Sequence, residues 1–313
     1  MVSESLKLKV CKLFYERGLS KQEIGSRLKI SRFKVTRFLE EALNEGMVKI
    51  IINEPENSYM EIENALEEKF KIFRALVVET GDTYEETKKN IGKAGANCLL
   101  DMIDNDDVLG VAWGTTIYEM VKALPESVEK KNITVVQITG GLGQTSVGYE
   151  SLEITRRLAE IFKAPSYQLY APAIFDNEET KKLMLQESKI IETINMFGKV
   201  NIAVVGLGSV LPEPSTLLYR DGYIKQEDFE EIVSSNAVGN VNSSFYTLDG
   251  KRCFTKIDRK TIDVDADQLK RVRYVIALAG GKFKAQAIYG ALKGKIVNII
   301  VTDNETAQIL VDM

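Results

Sequence analysis

Histidine is missing from all 313 residues. Its absence excludes Ser-His-Asp triads, histidine metal sites and any acid–base step that relies on an imidazole titrating near neutrality. Cysteine is scarce: Cys11, Cys98 and Cys253 are far apart and have no metal-ligand spacing, so buried thiols of a reducing compartment are expected and a metal centre is not. No apolar run approaches the length of a membrane span, and charges are scattered through the N-terminal stretch. Neither a transmembrane helix nor a signal peptide is expected, and the chain is placed in the cytoplasm. No GxGxxG follows a strand and no GK[ST] occurs, so neither a dinucleotide nor a P-loop cofactor site is expected.

What is present is unevenly distributed. Residues 1–52 hold eleven Lys and Arg against six Asp and Glu, a net of +5, whereas the remainder holds thirty against thirty-nine, so a basic N-terminal part is hidden inside an overall charge of −4. Such asymmetry points to a part that engages nucleic-acid phosphates. Within it, Ser20 to Glu45 reads as a helix-turn-helix. Ser20 and Glu23 form a capping box, Ile24 and Leu28 share one face of a short helix, and Ser31 caps a longer one in which Val35, Leu39 and Leu43 recur for burial. Arg32, Lys34, Thr36 and Arg37 are left on another face of that second helix, where a recognition helix meets the major groove. With Ser31 and with Lys21 and Gln22 of the first helix they are the candidate contacts to double-stranded operator DNA. A solvated basic face on a protein-docking bundle is the competing reading.

Residues 4–17 read as a supporting helix stopped at Gly18, and Met47 to Asn53 as a short strand or wing. The DNA-binding domain is thus assigned to residues 1–53, a Pro- and acid-bearing linker to 54–58, and a larger domain to 59–313. In the larger part, strand and helix patterns alternate. Helices are expected over Tyr59–Lys71, Tyr84–Ile103, Glu150–Phe162, Glu178–Phe197 and Lys282–Leu292, with strands at Phe73–Glu79, Val108–Trp113, Ile133–Thr139, Asn201–Val205, Val275–Ala279 and Val297–Thr302. This order implies an α/β fold with a largely parallel sheet.

Four strands end alike, in WGTT (Gly114, Thr115, Thr116), TGG (Gly140, Gly141), GLGS (Gly206 to Ser209) and AGG (Gly280, Gly281). Open α/β sheets bind ligands at the carboxyl ends of their strands, and glycine there lets backbone NH groups approach an anion at a helix N-terminus. Each turn alone is equally explained by tight turning or by helix–sheet packing. Lys282 and Lys284 follow Gly280-Gly281 at the start of a helix, where a cation opposes the dipole unless an anion is present. Lys282 is read as solvated, and the AGG turn leaves Lys284 as the candidate anion contact.

The segments GLSKQEIGSRLKISRFKVTRFL, GVAWGTT, VVQITGG, NIAVVGLGSV, NAVGNVNSSFYTLDG, AGGKFKAQAIYGAL and IVTDNETA, in that order, resemble the SorC family of sugar-binding transcriptional regulators. The resemblance implies a winged helix-turn-helix fused to an effector domain related to phosphosugar isomerases and deaminases, assembled as a homotetramer and controlled by a phosphorylated sugar. It places the effector pocket at Gly114, Thr115, Thr116, Gly140, Gly141 and Lys284. Asn240 stands where the family often has aspartate, Phe245-Tyr246-Thr247 where it often reads FFD, and Thr139 offers no amine for an imine, so a reversible noncovalent ligand is expected. The isomerase-like domain leaves a sugar-phosphate enzyme as the alternative, but it needs a placed base, and acids such as Asp303 look equally like helix caps.

Overall fold

A computed structural model describes residues 2–51, 58–142, 151–210, 217–220 and 222–313. The chain divides into two compact units, 1–56 and 57–313.

In the first unit, α1 (Val2–Cys11) runs into a π-helical turn at Lys12–Glu16, and α2 (Lys21–Leu28) and α3 (Arg32–Asn44) follow. Local chemistry sets these boundaries. The Ser20 amide donates to Glu23 Oε2 at 2.8 Å and the Glu23 amide to Ser20 Oγ at 3.3 Å, so the capping box is closed. Lys29 then takes a left-handed φ of 52° to end α2, and the Lys34 amide donates to Ser31 Oγ at 3.2 Å. Val10, Leu13, Ile24, Val35, Phe38, Leu39 and Ala42 form the core of this unit.

The inward stripe of α3 differs from the expected one, because Leu43 is 39% exposed while Phe38 and Ala42 are buried. Packing on α1 centres the stripe on Val35 and Leu39, and i+3 positions join it. Lys7 of α1 sits buried between Glu41 and Glu45, at 3.0 and 2.7 Å, and clamps α1 to the end of α3. The expected wing is not a strand over residues 47–51, and no other strand lies among the described residues of this unit to pair with it. Ile52 and Asn53, with linker residues 54–57, lie outside the described residues.

The second unit is built on one large sheet. Its strands are β1 (Arg74–Val78), β2 (Val108–Val111), β3 (Thr134–Gln137), β4 (Ser166–Tyr167), β5 (Ile202–Ser209), β6 (Ala237–Val241), β7 (Ser244–Thr247), β8 (Arg252–Cys253), β9 (Tyr274–Leu278) and β10 (Ile299–Asp303). Seven strands are parallel in the order β1-β10-β9-β5-β2-β3-β4, while β6, β7 and β8 form an antiparallel branch growing from the far end of β5. The helices are α4 (Met60–Phe70), α5 (Tyr84–Met102), α6 (Thr115–Ala123), α7 (Ser151–Phe162), α8 (Glu178–Met184), α9 (Ser188–Phe197), α10 (Leu217–Arg220), α11 (Gln226–Ser234), α12 (Ala266–Leu269), α13 (Ala285–Lys293) and α14 (Asn304–Asp312). From β2 the chain crosses through α6 to β3 in one direction. From β9 it crosses through α13 to β10 in the other, so right-handed crossovers put these helices on opposite faces of the sheet.

Three expectations are corrected here. The 178–197 helix is two, because the chain turns at Leu185–Glu187 and Glu187 is extended. GLGS is not a turn: it is the last half of β5, with Gly208 opposite Asn240 and Ser209 opposite Gly239. The helix expected from Lys282 starts as a 3-10 turn at Lys282–Lys284 and becomes α-helical at Ala285. Among the described residues no helix is long and apolar enough to cross a membrane.

Candidate functional site

On the first unit, the groups expected at DNA lie at or near the surface. Arg32, Lys34, Arg37, Gln22 and Ser31 are exposed, and Lys21 and Thr36 are half-buried. Ser31 is already engaged, because its hydroxyl caps α3. Arg37 leans on Glu41, with Nε 3.2 Å from Oε1, in a pair exposed enough to be weak. Gly25 was not singled out by the sequence, yet it sets the approach of the helices: a Cβ there would come within 2.8 Å of the Ile30 carbonyl oxygen. Ile30 in turn donates its amide to the Gly25 carbonyl at 3.0 Å.

On the second unit, the sheet order defines a crevice. Connections from β2 and from β5, neighbours in the sheet, leave in opposite directions, and ligands bind at such a switch point beyond the carboxyl ends. Gly114 lies there with φ 155°, and α6 begins at Thr115 with no side-chain cap, so its first amides are open to an anion. Trp113 Nε1 donates to the Gly140 carbonyl at 3.1 Å and ties this turn to the end of β3.

The two glycines after β3 are committed to packing. A Cβ on Gly140 would lie 2.2 Å from the Pro172 carbonyl oxygen, and Gly141 exchanges both backbone groups with Ala171 and Ala173 at 2.8 Å. Thr139 pairs with Asp263, Asp263 accepts from the Ser243 amide at 2.8 Å, and buried Asn240 donates to the Asn242 carbonyl at 2.8 Å. Along this connected line, Thr139 Oγ1, Asn240 Oδ1, Asn242 Oδ1 and Ser243 Oγ are buried with no partner among the described residues. Unsatisfied acceptors and hydroxyls of this kind suit a ligand rich in hydroxyl groups. Burial pushes the Asp263 carboxyl up to about 6.

At the end of β9, the Gly281 amide is spent on Asp303 Oδ2 at 2.7 Å. Asp303 also accepts from Thr80, Thr306 Oγ1 and the Thr306 amide, so it is the cap of α14. Lys282 pairs with Glu305 at the surface, 3.2 Å apart. Lys284 has no ion pair among the described residues, and burial, with the like charge of Lys88 second, pushes its ammonium down to about 8. The sequence did not point to Lys88, which is buried on α5 beside the Tyr84 ring and bonded to Glu85 at 2.6 Å. Tyr84 touches Phe283, and Ser209 Oγ donates to the Phe283 carbonyl at 3.2 Å, which joins this corner to the end of β5.

A cavity of about 220 Å³ is lined by Lys181, Arg252, Asp258, Asp263, Asp265 and the apolar side chains of Leu185, Ile194, Phe197 and Ile262. It meets the Thr139–Asn240 line through Asp263, and Arg252 is committed to Asp258 and Asp265 at 2.7 Å each. Among the described residues no cluster suited to a metal ion occurs.

A capped helix pair with a basic exposed face in one unit, and a largely parallel sheet with glycine-edged strand ends in the other, match the plan of a ligand-responsive regulator. Residues 54–312 match the family described as "Putative sugar-binding domain". The deoxyribonucleoside regulator of Bacillus subtilis is 33% identical over 99% of this chain and 98% of its own length. The sorbitol operon regulator of Klebsiella pneumoniae is 28% identical over 97% and 96%. The crystal structure of the full-length sorbitol operon regulator SorC from Klebsiella pneumoniae superposes with a TM-score of 0.76, covering 98% of each chain at 28% identity. The chain therefore belongs to the SorC family of sugar-binding transcriptional regulators.

Proposed function

We propose that this protein is a sequence-specific, operator-binding regulator of a carbohydrate operon, that it acts in the cytoplasm as a homotetramer, and that a phosphorylated sugar controls it. The observation that carries the effector reading is Lys284: a half-buried side chain near a second lysine, its ammonium pushed down by desolvation and unpaired among the described residues, invites an anion. The uncapped start of α6 at Thr115 and Thr116 offers further main-chain donors for an anion. The orphaned oxygens of Thr139, Asn240 and Ser243 suit sugar hydroxyls. Names of relatives such as the sorbitol operon regulator support a carbohydrate operon. Tetramerisation would present paired recognition helices to half-sites about 34–36 Å apart, which one short helix needs for useful affinity.

A sugar-phosphate isomerase or deaminase is less well supported, since the chain lacks histidine and Asp303 is saturated as a cap. The test is an operator titration in the presence of pentose and hexose phosphates and their unphosphorylated sugars, with turnover assayed in parallel. A shift in operator affinity with a phosphorylated sugar alone is expected. Equal response to the free sugar would overturn the phosphate assignment, and turnover would establish the enzyme. Light scattering that gave a monomer, free and on operator, would overturn the assembly.

A further inference from the structure

The outermost ridge of α3 carries an aromatic ring. Phe33 is 89% exposed, the highest value for any large apolar side chain among the described residues. It makes no ring contact among them. Single exposed apolar residues are common and need no explanation by themselves. The place of this one is what matters. At about 100° per residue, Phe33 and Arg37 lie roughly 160° and 200° around the helix from Val35, straddling the point opposite the buried stripe. Arg32 and Lys34 fall about 60° and 100° to either side of Val35, toward the flanks where groove walls and phosphates stand. Phe33 is also on the first turn of the helix, the part that enters a major groove deepest.

We propose that Phe33 reads a thymine 5-methyl group in the major groove, an apolar base contact set between the cationic contacts of Arg32, Lys34 and Arg37. The inference rests on the operator-binding reading above. The methyl of thymine is the apolar feature of base edges in that groove, and phenylalanine is one of the side chains whose geometry suits it. A cation-only ridge would prefer guanine through arginine, so the phenyl group adds recognition of A·T pairs that Arg32 and Arg37 do not supply. Adjacent Arg37, one turn on, would then read or clamp the neighbouring step.

The test uses the full chain. A binding site is selected from randomised duplexes, with and without sugar phosphates, and each selected thymine is replaced by deoxyuridine, which lacks only the methyl. For the wild type, one thymine per half-site should be methyl-sensitive, with binding about fourfold weaker for each methyl removed, the worth of one buried methyl group. Phe33→Ala should still oligomerise and still enrich the site weakly, but be indifferent to that replacement, while Arg37→Ala keeps the sensitivity. A wild type with no methyl-sensitive thymine overturns the inference and leaves operator binding standing. So does Phe33→Ala that keeps the full methyl response, including the case in which it alters only the oligomeric state. Failure of the wild type to enrich any sequence overturns the operator reading and this inference together.

Discussion

Replacing Lys284 by methionine should make the 57–313 unit more stable at pH 7 and blind to phosphate. Burial, then the like charge of Lys88, lowers the Lys284 ammonium from 10.5 to about 8. The folded chain holds that proton more weakly than the unfolded chain does. At about 1.4 kcal/mol for each tenfold change in proton affinity, keeping the charge costs at most roughly 3 kcal/mol. The residue retains some exposure, and solvent screening trims the expected gain in Lys284→Met to about 2 kcal/mol. Because the folded value is the lower one, the cost is full below pH 8 and fades as pH rises from 8 to 10.5. Over that window the wild type should gain stability on the variant, whose own curve lacks the rise. A sugar phosphate at a hundredfold its dissociation constant should add about 2.7 kcal/mol to the wild type and little to the variant. Urea denaturation read by the fluorescence of Trp113 suits the assay, since the only tryptophan of the chain lies in this unit beside Gly140. A variant less stable than the wild type at pH 7, or one that keeps the rise between pH 8 and 10.5, would refute the reasoning. So would equal stabilisation of both proteins by phosphate.

The double variant Arg32→Ala/Arg37→Ala should lose roughly 1–3 kcal/mol of operator affinity for each residue that pairs with a base, or reduce the salt slope by about 1 for each that meets phosphate. Fluorescence anisotropy across a salt series that matched the wild type would remove α3 from the recognition role. Gly140→Ala drives a Cβ to 2.2 Å from the Pro172 carbonyl oxygen and should cost about 1–3 kcal/mol with a shifted Trp113 emission. An unchanged urea midpoint would contradict this. Asp263→Asn should stabilise the protein at pH 8 by up to about 3 kcal/mol, because burial raises the carboxyl from 3.8 to about 6 and penalises the charged form. A raised folded value means that the penalty is complete above 6 and gone below 3.8. The advantage of the variant should therefore vanish in urea melts near pH 4, and a difference independent of pH would rule the mechanism out.

Some of this was legible in the chain because the deciding interactions are short. Ser20 with Glu23 and Ser31 with Lys34 act within one turn, so the bounds of α2 and the start of α3 follow from neighbours. Parallel β-strands buried on both faces read as apolar runs, so β1, β2, β3, β5, β9 and β10 were each found within a few residues. Glycine was the ambiguous letter. The same residue type ends a strand at Gly114, sits inside one at Gly206 and Gly208, and permits a close approach at Gly140. Leu43 fitted an i+4 repeat, but the position of α1 decided that Phe38 and Ala42 would be covered in its place. The break at Leu185–Glu187 carries no glycine or proline and so left no local sign.

By itself, the sequence determined the two-part plan, the capped helix pair, the strand–helix alternation and the positive charge at the N-terminal end, all properties of residues near one another in the chain. Only the tertiary structure decided which polar groups are spent and which are left over. Gly141, Gly281 and Asp303 are used up by partners tens of residues away or across a turn, whereas Asn240 and Thr139 keep unpaired buried atoms, and half-buried Lys284, with Lys88 of another helix beside it, has no ion pair among the described residues. Desolvation and hydrogen-bond saturation depend on everything packed around an atom, so no window of sequence contains them.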